Sequence, residues 1–78
     1  MRNENEVVKG SRWQHFKGDV MEVLCVASHS ENLEKMVVYE HGGQLWVRPM
    51  SSFLANEDVS KREDNKTGQK FRFEKKED

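Results

Sequence analysis

An all-β fold is the class this sequence predicts: a small five-stranded SH3-like open barrel, or a strongly twisted antiparallel sheet, with one short helical turn. Three observations predict it. The apolar residues gather in runs of five to nine, rich in valine and aromatics, which is strand length and strand composition. Turn-forming pairs such as Lys17-Gly18 and Gly42-Gly43 separate the runs. The single proline, Pro49, stands where a strand has to stop, because proline cannot donate to a ladder.

The elements follow in order. Residues 12–16 form the first strand, closed by a Lys17-Gly18-Asp19 turn. Residues 20–28 form the second and most hydrophobic strand, and the polar Ser30-Glu31-Asn32 turn follows it. Residues 36–41 and 44–48 form the third and fourth strands. The intervening Gly42-Gly43 pair is a two-residue hairpin turn, because both positions of such a turn need positive φ. That turn fixes a register in which Tyr39 faces Trp46, Val38 faces Val47, and Val37 faces Arg48. Alternation places Val37, Tyr39, His41, Gln44, Trp46 and Arg48 on one face, which is amphipathic. Met36, Val38, Leu45 and Val47 fall on the other, which reads as core. Residues 50–54 read as one helical turn of the 3₁₀ kind, with Phe53 and Leu54 plugging the core. Residues 70–74 make the last strand, with Phe71 and Phe73 turned inward.

The chain of 78 residues has room for one domain. Residues 1–9 are expected to be a flexible polar segment, residues 10–74 the β domain, and residues 75–78 a charged tail. Within the domain, residues 56–69 read as a polar, solvated loop holding one apolar residue. The core is therefore expected from residues 12–54 and 70–74. A domain of this size buries only about 60% of its unfolded surface. A buried multi-residue active site would strain that core, so a binding module is the easier fit.

Charge narrows the partners. The 13 Lys and Arg against 14 Asp and Glu leave a net charge of −1. The sign is spread along the chain, with no basic run to drive phosphate binding. Cys25 is the sole cysteine, which excludes an internal disulfide, and its apolar run predicts a buried small hydrophobe. No apolar stretch reaches the roughly 18 residues of a membrane span. The N-terminal residues lack the apolar centre of a signal peptide, so the expected compartment is the cytoplasm.

Several segments stand together in order: His15-Phe16-Lys17-Gly18, Val23-Leu24-Cys25-Val26-Ala27-Ser28-His29-Ser30-Glu31, Val37-Val38-Tyr39, Trp46-Val47-Arg48-Pro49, Phe53, and Phe71-Arg72-Phe73. Over residues 12–74 this series resembles the DUF1653 family of small bacterial domains of unknown function. The resemblance implies a compact, mostly β domain of the bacterial cytoplasm, standing alone or attached to another domain. It implies no particular reaction. The turn between the third and fourth strands is shorter here than the family pattern, at His41-Gly42-Gly43.

The chemistry-bearing residues offer a weak case for catalysis. His15, His29 and His41 are spaced by 14 and 12 residues, which matches no local metal motif, and no metal or other cofactor is expected. His29-Ser30-Glu31 holds triad-like groups, but neighbours on an extended chain point to opposite sides. Turn formation is the simpler role for Ser30 and Asn32. The strongest feature is Tyr39, Trp46 and Arg48 on one face. As a plain cross-strand pair the aromatics stabilise the sheet by roughly 0.2–1 kcal/mol. As a surface they make a platform for a peptide, or for a stacked base, with Arg48 able to fork onto a carboxylate or phosphate. Trp13 and His15 are placed to join that surface, and His29 and Glu31 are further candidate contacts. The expected function is a noncatalytic protein- or ligand-binding module and not an enzyme. The alternatives are an accessory domain that binds RNA or another nucleic acid, and a small His-dependent hydrolase or metalloprotein. A protein or peptide is the favoured partner over nucleic acid, with no membrane, and the chain is a monomer or a homodimer.

Overall fold

A computed structural model describes residues 2–76. Glu77 and Asp78, the end of the expected charged tail, lie outside the described residues, as does Met1. The strands are β1 (Arg12–His15), β2 (Val20–Ser28), β3 (Lys35–His41), β4 (Gln44–Pro49) and β5 (Phe73–Lys76). One helical turn, α1 (Met50–Phe53), follows β4, and a 3₁₀ turn spans Glu4–Glu6. All pairings are antiparallel, in the order β4-β3-β2-β1-β5. Of the two expected forms, the antiparallel sheet with a short helical turn is the one observed. The sheet does not close into a barrel, and β4 and β5 are its edges.

The β3–β4 hairpin has the predicted register, with Tyr39 opposite Trp46, Val38 opposite Val47 and Val37 opposite Arg48. Gly42 and Gly43 have φ of 63° and 80°, as a primed turn requires. The two faces are exchanged relative to expectation. Val37 and Tyr39 are buried, whereas Leu45 is 69% and Val47 60% exposed. The reason lies in the chain after Pro49. The helical turn folds beneath the Val37–Tyr39 side and brings Met50, Phe53 and Leu54 against it. It is α-helical, with the amide of Leu54 donating to the carbonyl of Met50.

The core is built from rings. Phe53 stacks on Phe73 with centroids 4.6 Å apart, and Trp13 meets Phe53 edge-on at 5.1 Å. Met21, Val23, Val37, Tyr39, Met50 and Leu54 complete the cluster. Two core residues come from segments expected to lie outside it. Val7, in the segment expected to be flexible, is 3% exposed and joins the cluster. Val59, the lone apolar residue of segment 56–69, is 0% exposed.

That segment holds no helix or strand, yet it is organised by side chains. Asn65 donates to the carbonyls of Val59 and Gln69, and its Oδ1 accepts from the amides of Thr67 and Gly68. The strap so formed is tied to Phe16 on both sides: Lys66 N–H donates to Phe16, and Phe16 N–H donates to Arg72. The last strand begins at Phe73 and not at Lys70. Glu74 Oε2 accepts from the amides of Lys70 and Phe71, which holds 70–71 bent away from the ladder. Only Phe73 of the expected inward pair is buried. Phe71 is half-buried beneath the guanidinium of Arg2, 4.5 Å from its ring centroid.

Cys25 is exposed, against expectation. A register shift between Val23 and Cys25 is the cause. Val23 pairs with the buried Tyr39, and Cys25 with Val38 on the outer face. Leu24 is the extra residue of that bulge. No helix among the described residues is long and apolar enough to cross a membrane.

Candidate functional site

The start of β2 and the ends of β3 and β1 lie side by side because β2 pairs with both neighbours. This brings residues distant in sequence around one open cleft of about 280 Å³. Its lining is His15 and Phe73 from the β1–β5 pair, Asp19 and Met21 from the entry to β2, Tyr39 and His41 from β3, and Trp46 and Arg48 from β4.

Arg48 is held from two directions. Its guanidinium carbon sits 5.0 Å from the Phe73 ring centroid, and Nη1 donates to Ser52 Oγ at 3.0 Å. Ser52 is in α1, so the helical turn that fills the core also orients the cation. Arg48 Nε is buried and has no hydrogen-bond partner. An unmet buried donor costs about 1–3 kcal/mol.

His15 lies edge-on to Phe73 with centroids 5.0 Å apart. Its Nδ1 accepts from the Lys17 amide at 3.1 Å, which leaves Nε2 as the protonated nitrogen of the neutral ring. Burial pushes its pKa below the ordinary histidine value, and Arg72, Lys17 and Arg48 add to the effect against Asp19. The charged form of the ring is therefore disfavoured, by burial first and by its cationic neighbours second. His41 Nε2 lies 3.5 Å from Asp19 Oδ1. Trp46 is 45% exposed, and its indole N–H donates to the His41 carbonyl at 3.2 Å, which pins the ring over the hairpin end.

Of the residues expected at a site, Tyr39, Trp46, Arg48 and His15 converge here. Trp13 does not: it is buried and donates to Ser11 Oγ at 3.0 Å. His29 and Glu31 sit in the β2–β3 turn, where His29 Nδ1 accepts from the Glu31 amide. The length of β3, about 20 Å, separates that turn from His41. His41, expected on the face of Tyr39, Trp46 and Arg48, lines the cleft with them; Asp19, Met21 and Phe73 complete it and were not expected in a binding surface. The signal for Asp19 was the antiparallel β2–β3 pairing, which sets the end of one beside the start of the other. Among the described residues, no group of three or more His, Cys, Asp or Glu is placed to hold a metal ion.

Three larger grooves, about 800, 510 and 460 Å³, flank the N-terminal segment. Two are lined by Arg2, whose guanidinium already donates to the carbonyls of Ala55 and Phe73. The third, along Glu6 to Arg12 and Lys75, has no aromatic ring in its lining. None gathers an unmet polar group with aromatic rings as the smaller cleft does.

The fold and this cleft define a small single-sheet β domain with an aromatic and arginine-lined surface site. The chain belongs to the family described as protein of unknown function (DUF1653), whose family model matches residues 11–75. No curated protein and no solved structure matches it.

Proposed function

We propose that this domain is a noncatalytic binding module of the bacterial cytoplasm, and that its cleft receives a carboxylate-bearing segment of another protein. The observation that carries this reading is Arg48. Its guanidinium is fixed by Phe73 and Ser52, its Nε is buried and unpaired, and it borders the cleft beside the half-exposed Trp46. A charge-assisted hydrogen bond from such a donor is worth about 1.5–3 kcal/mol. The surroundings of His15 support the reading, because Arg72, Lys17 and Arg48 outnumber Asp19 around its ring. Trp46 and Tyr39 supply the apolar wall for the aliphatic part of the ligand.

The test is an NMR titration with sodium acetate, following the Arg48 Nε–H and the Trp46 indole resonance. Both are expected to shift together at millimolar acetate, with sodium chloride at equal ionic strength as the reference. The Arg48→Gln variant is expected to lose the Trp46 response. Acetate that moves neither resonance beyond the chloride reference refutes the proposal.

A further inference from the structure

We infer that the partner binds as a sixth strand, an extended segment alternating apolar with acidic residues that pairs with the free edge of β4. This rests on the reading of the cleft given above, because Trp46 and Arg48 belong to both. The edge follows from the register. In a two-residue hairpin the pair closing the turn, here His41 and Gln44, exchanges its hydrogen bonds, and alternate pairs do so after it. Gln44, Trp46 and Arg48 thus direct their backbone groups at β3. Leu45 and Val47 direct theirs at the open edge, because β4 is terminal in the sheet.

Sheets generally protect such edges with charge, proline, bulges or a covering element. The opposite edge, β5, carries Lys75 and Lys76. Over residues 44–47 β4 has no charged residue, and its pairing with β3 has no register shift. Pro49 comes only at its end. The Leu45 and Val47 side chains are exposed on one side of this edge, and Trp46 and Arg48 stand on the other. An added strand sets its own alternate side chains beside each pair.

Charge selects the occupant. Among the described residues, no carboxylate lies within 4.0 Å of the Arg48 guanidinium nitrogens. A segment with acidic residues on the Arg48 side supplies one, and apolar residues on its other side cover Leu45 and Val47. A second copy of this chain is a poorer fit. Symmetric β4–β4 pairing about Trp46 sets Arg48 opposite Gln44, and the guanidinium gains no acid.

The experiment uses the full chain and a capped heptapeptide alternating valine with glutamate, read by amide hydrogen exchange and by the acetate-sensitive cleft resonances. The peptide is expected to slow exchange at Leu45 and Val47 at least ~10-fold, as new ladder bonds do. A valine–lysine peptide of equal length is expected to bind at least ~10-fold more weakly, a difference of about 1.4 kcal/mol. Val47→Pro removes an edge-facing N–H without touching the β3–β4 ladder, and should abolish the pairing while Arg48 still responds to acetate. A peptide N-methylated at alternate residues makes the same test with the unaltered protein. Cleft shifts without protection at Leu45 and Val47 overturn the sixth strand and leave the cleft reading standing. An Arg48 resonance that neither peptide nor acetate moves overturns both. Protection at Leu45 and Val47 that rises with protein concentration alone assigns the edge to a second copy and overturns the proposal.

Discussion

Replacing Trp46 with alanine separates the two roles its ring can have, packing and recognition. Tryptophan carries at most about 250 Å² of side-chain surface, and Trp46 is 45% exposed. At most about 140 Å² of it is thus buried, and losing that burial costs at most about 3.5 kcal/mol at 25 cal/mol/Å². Part of that returns, because alanine keeps Cβ buried and the unfolded chain is not fully extended. The indole bond to the His41 carbonyl is exposed and adds little. The expected loss is about 2 kcal/mol. A 78-residue fold has about 4–12 kcal/mol in hand. The variant should therefore remain folded and can be assayed. Trp13 is the internal comparison: it is buried, it contacts Phe53, and its loss should cost about 3–5 kcal/mol. The assay is urea denaturation followed by far-ultraviolet circular dichroism, with the valine–glutamate peptide titrated into each folded variant. Trp46→Ala should lose most of its peptide affinity at small cost in stability. A stability loss for Trp46→Ala equal to that for Trp13→Ala would place the ring in the core. Unchanged peptide affinity would remove it from the cleft wall.

Other perturbations have expected outcomes of similar definition. Asn65→Ala removes five hydrogen bonds within the strap and should cost about 2–4 kcal/mol by urea melt, with faster exchange at the Val59 amide; an unaltered melt would mean that the strap holds without it. Val7→Ala should cost about 1–2 kcal/mol, whereas an undocked N-terminal segment predicts no change. The lowered pKa of His15 means that the unfolded chain binds more protons than the folded one as pH drops through about 6.5. Stability at about pH 5.5 should therefore fall relative to about pH 7.5, and His15→Gln should flatten that slope, as paired urea melts would show. A slope unchanged by His15→Gln refutes the assignment.

What the sequence made legible was local. Gly42-Gly43 determines a turn, the turn determines a register, and Tyr39 therefore meets Trp46. Which side of that hairpin is inside is not local. Both alternating sets contain apolar residues, and the choice is made by α1, which packs beneath Val37 and Tyr39 from farther along the chain. Val7 and Val59 escaped for a related reason. A single apolar residue in a polar stretch has no periodicity, and only the completed fold supplies the hole it fills. Cys25 was misplaced because an apolar run does not show the bulge at Leu24 that turns Cys25 to the outer face. Of the cleft, the Tyr39–Trp46–Arg48 face was readable from one hairpin. His41 belongs to that same face; Asp19 and Phe73 enter through pairings between separate strands, which no short motif encodes.

The position of β1 has a consequence for how the molecule is made. Its partners are β2, which follows directly, and β5, where Arg12 pairs with Lys76, 64 positions later (76 − 12). On the ribosome, β2, β3 and β4 can zip sequentially as neighbouring hairpins, while β1 waits with one side bare until β5 has emerged. At about 5–20 residues per second that interval lasts several seconds. The stacked Phe53–Phe73 pair cannot form until it ends. Nascent chains are thus most open to mispairing, and to chaperone capture, along the side of β1 that is sealed in the finished protein.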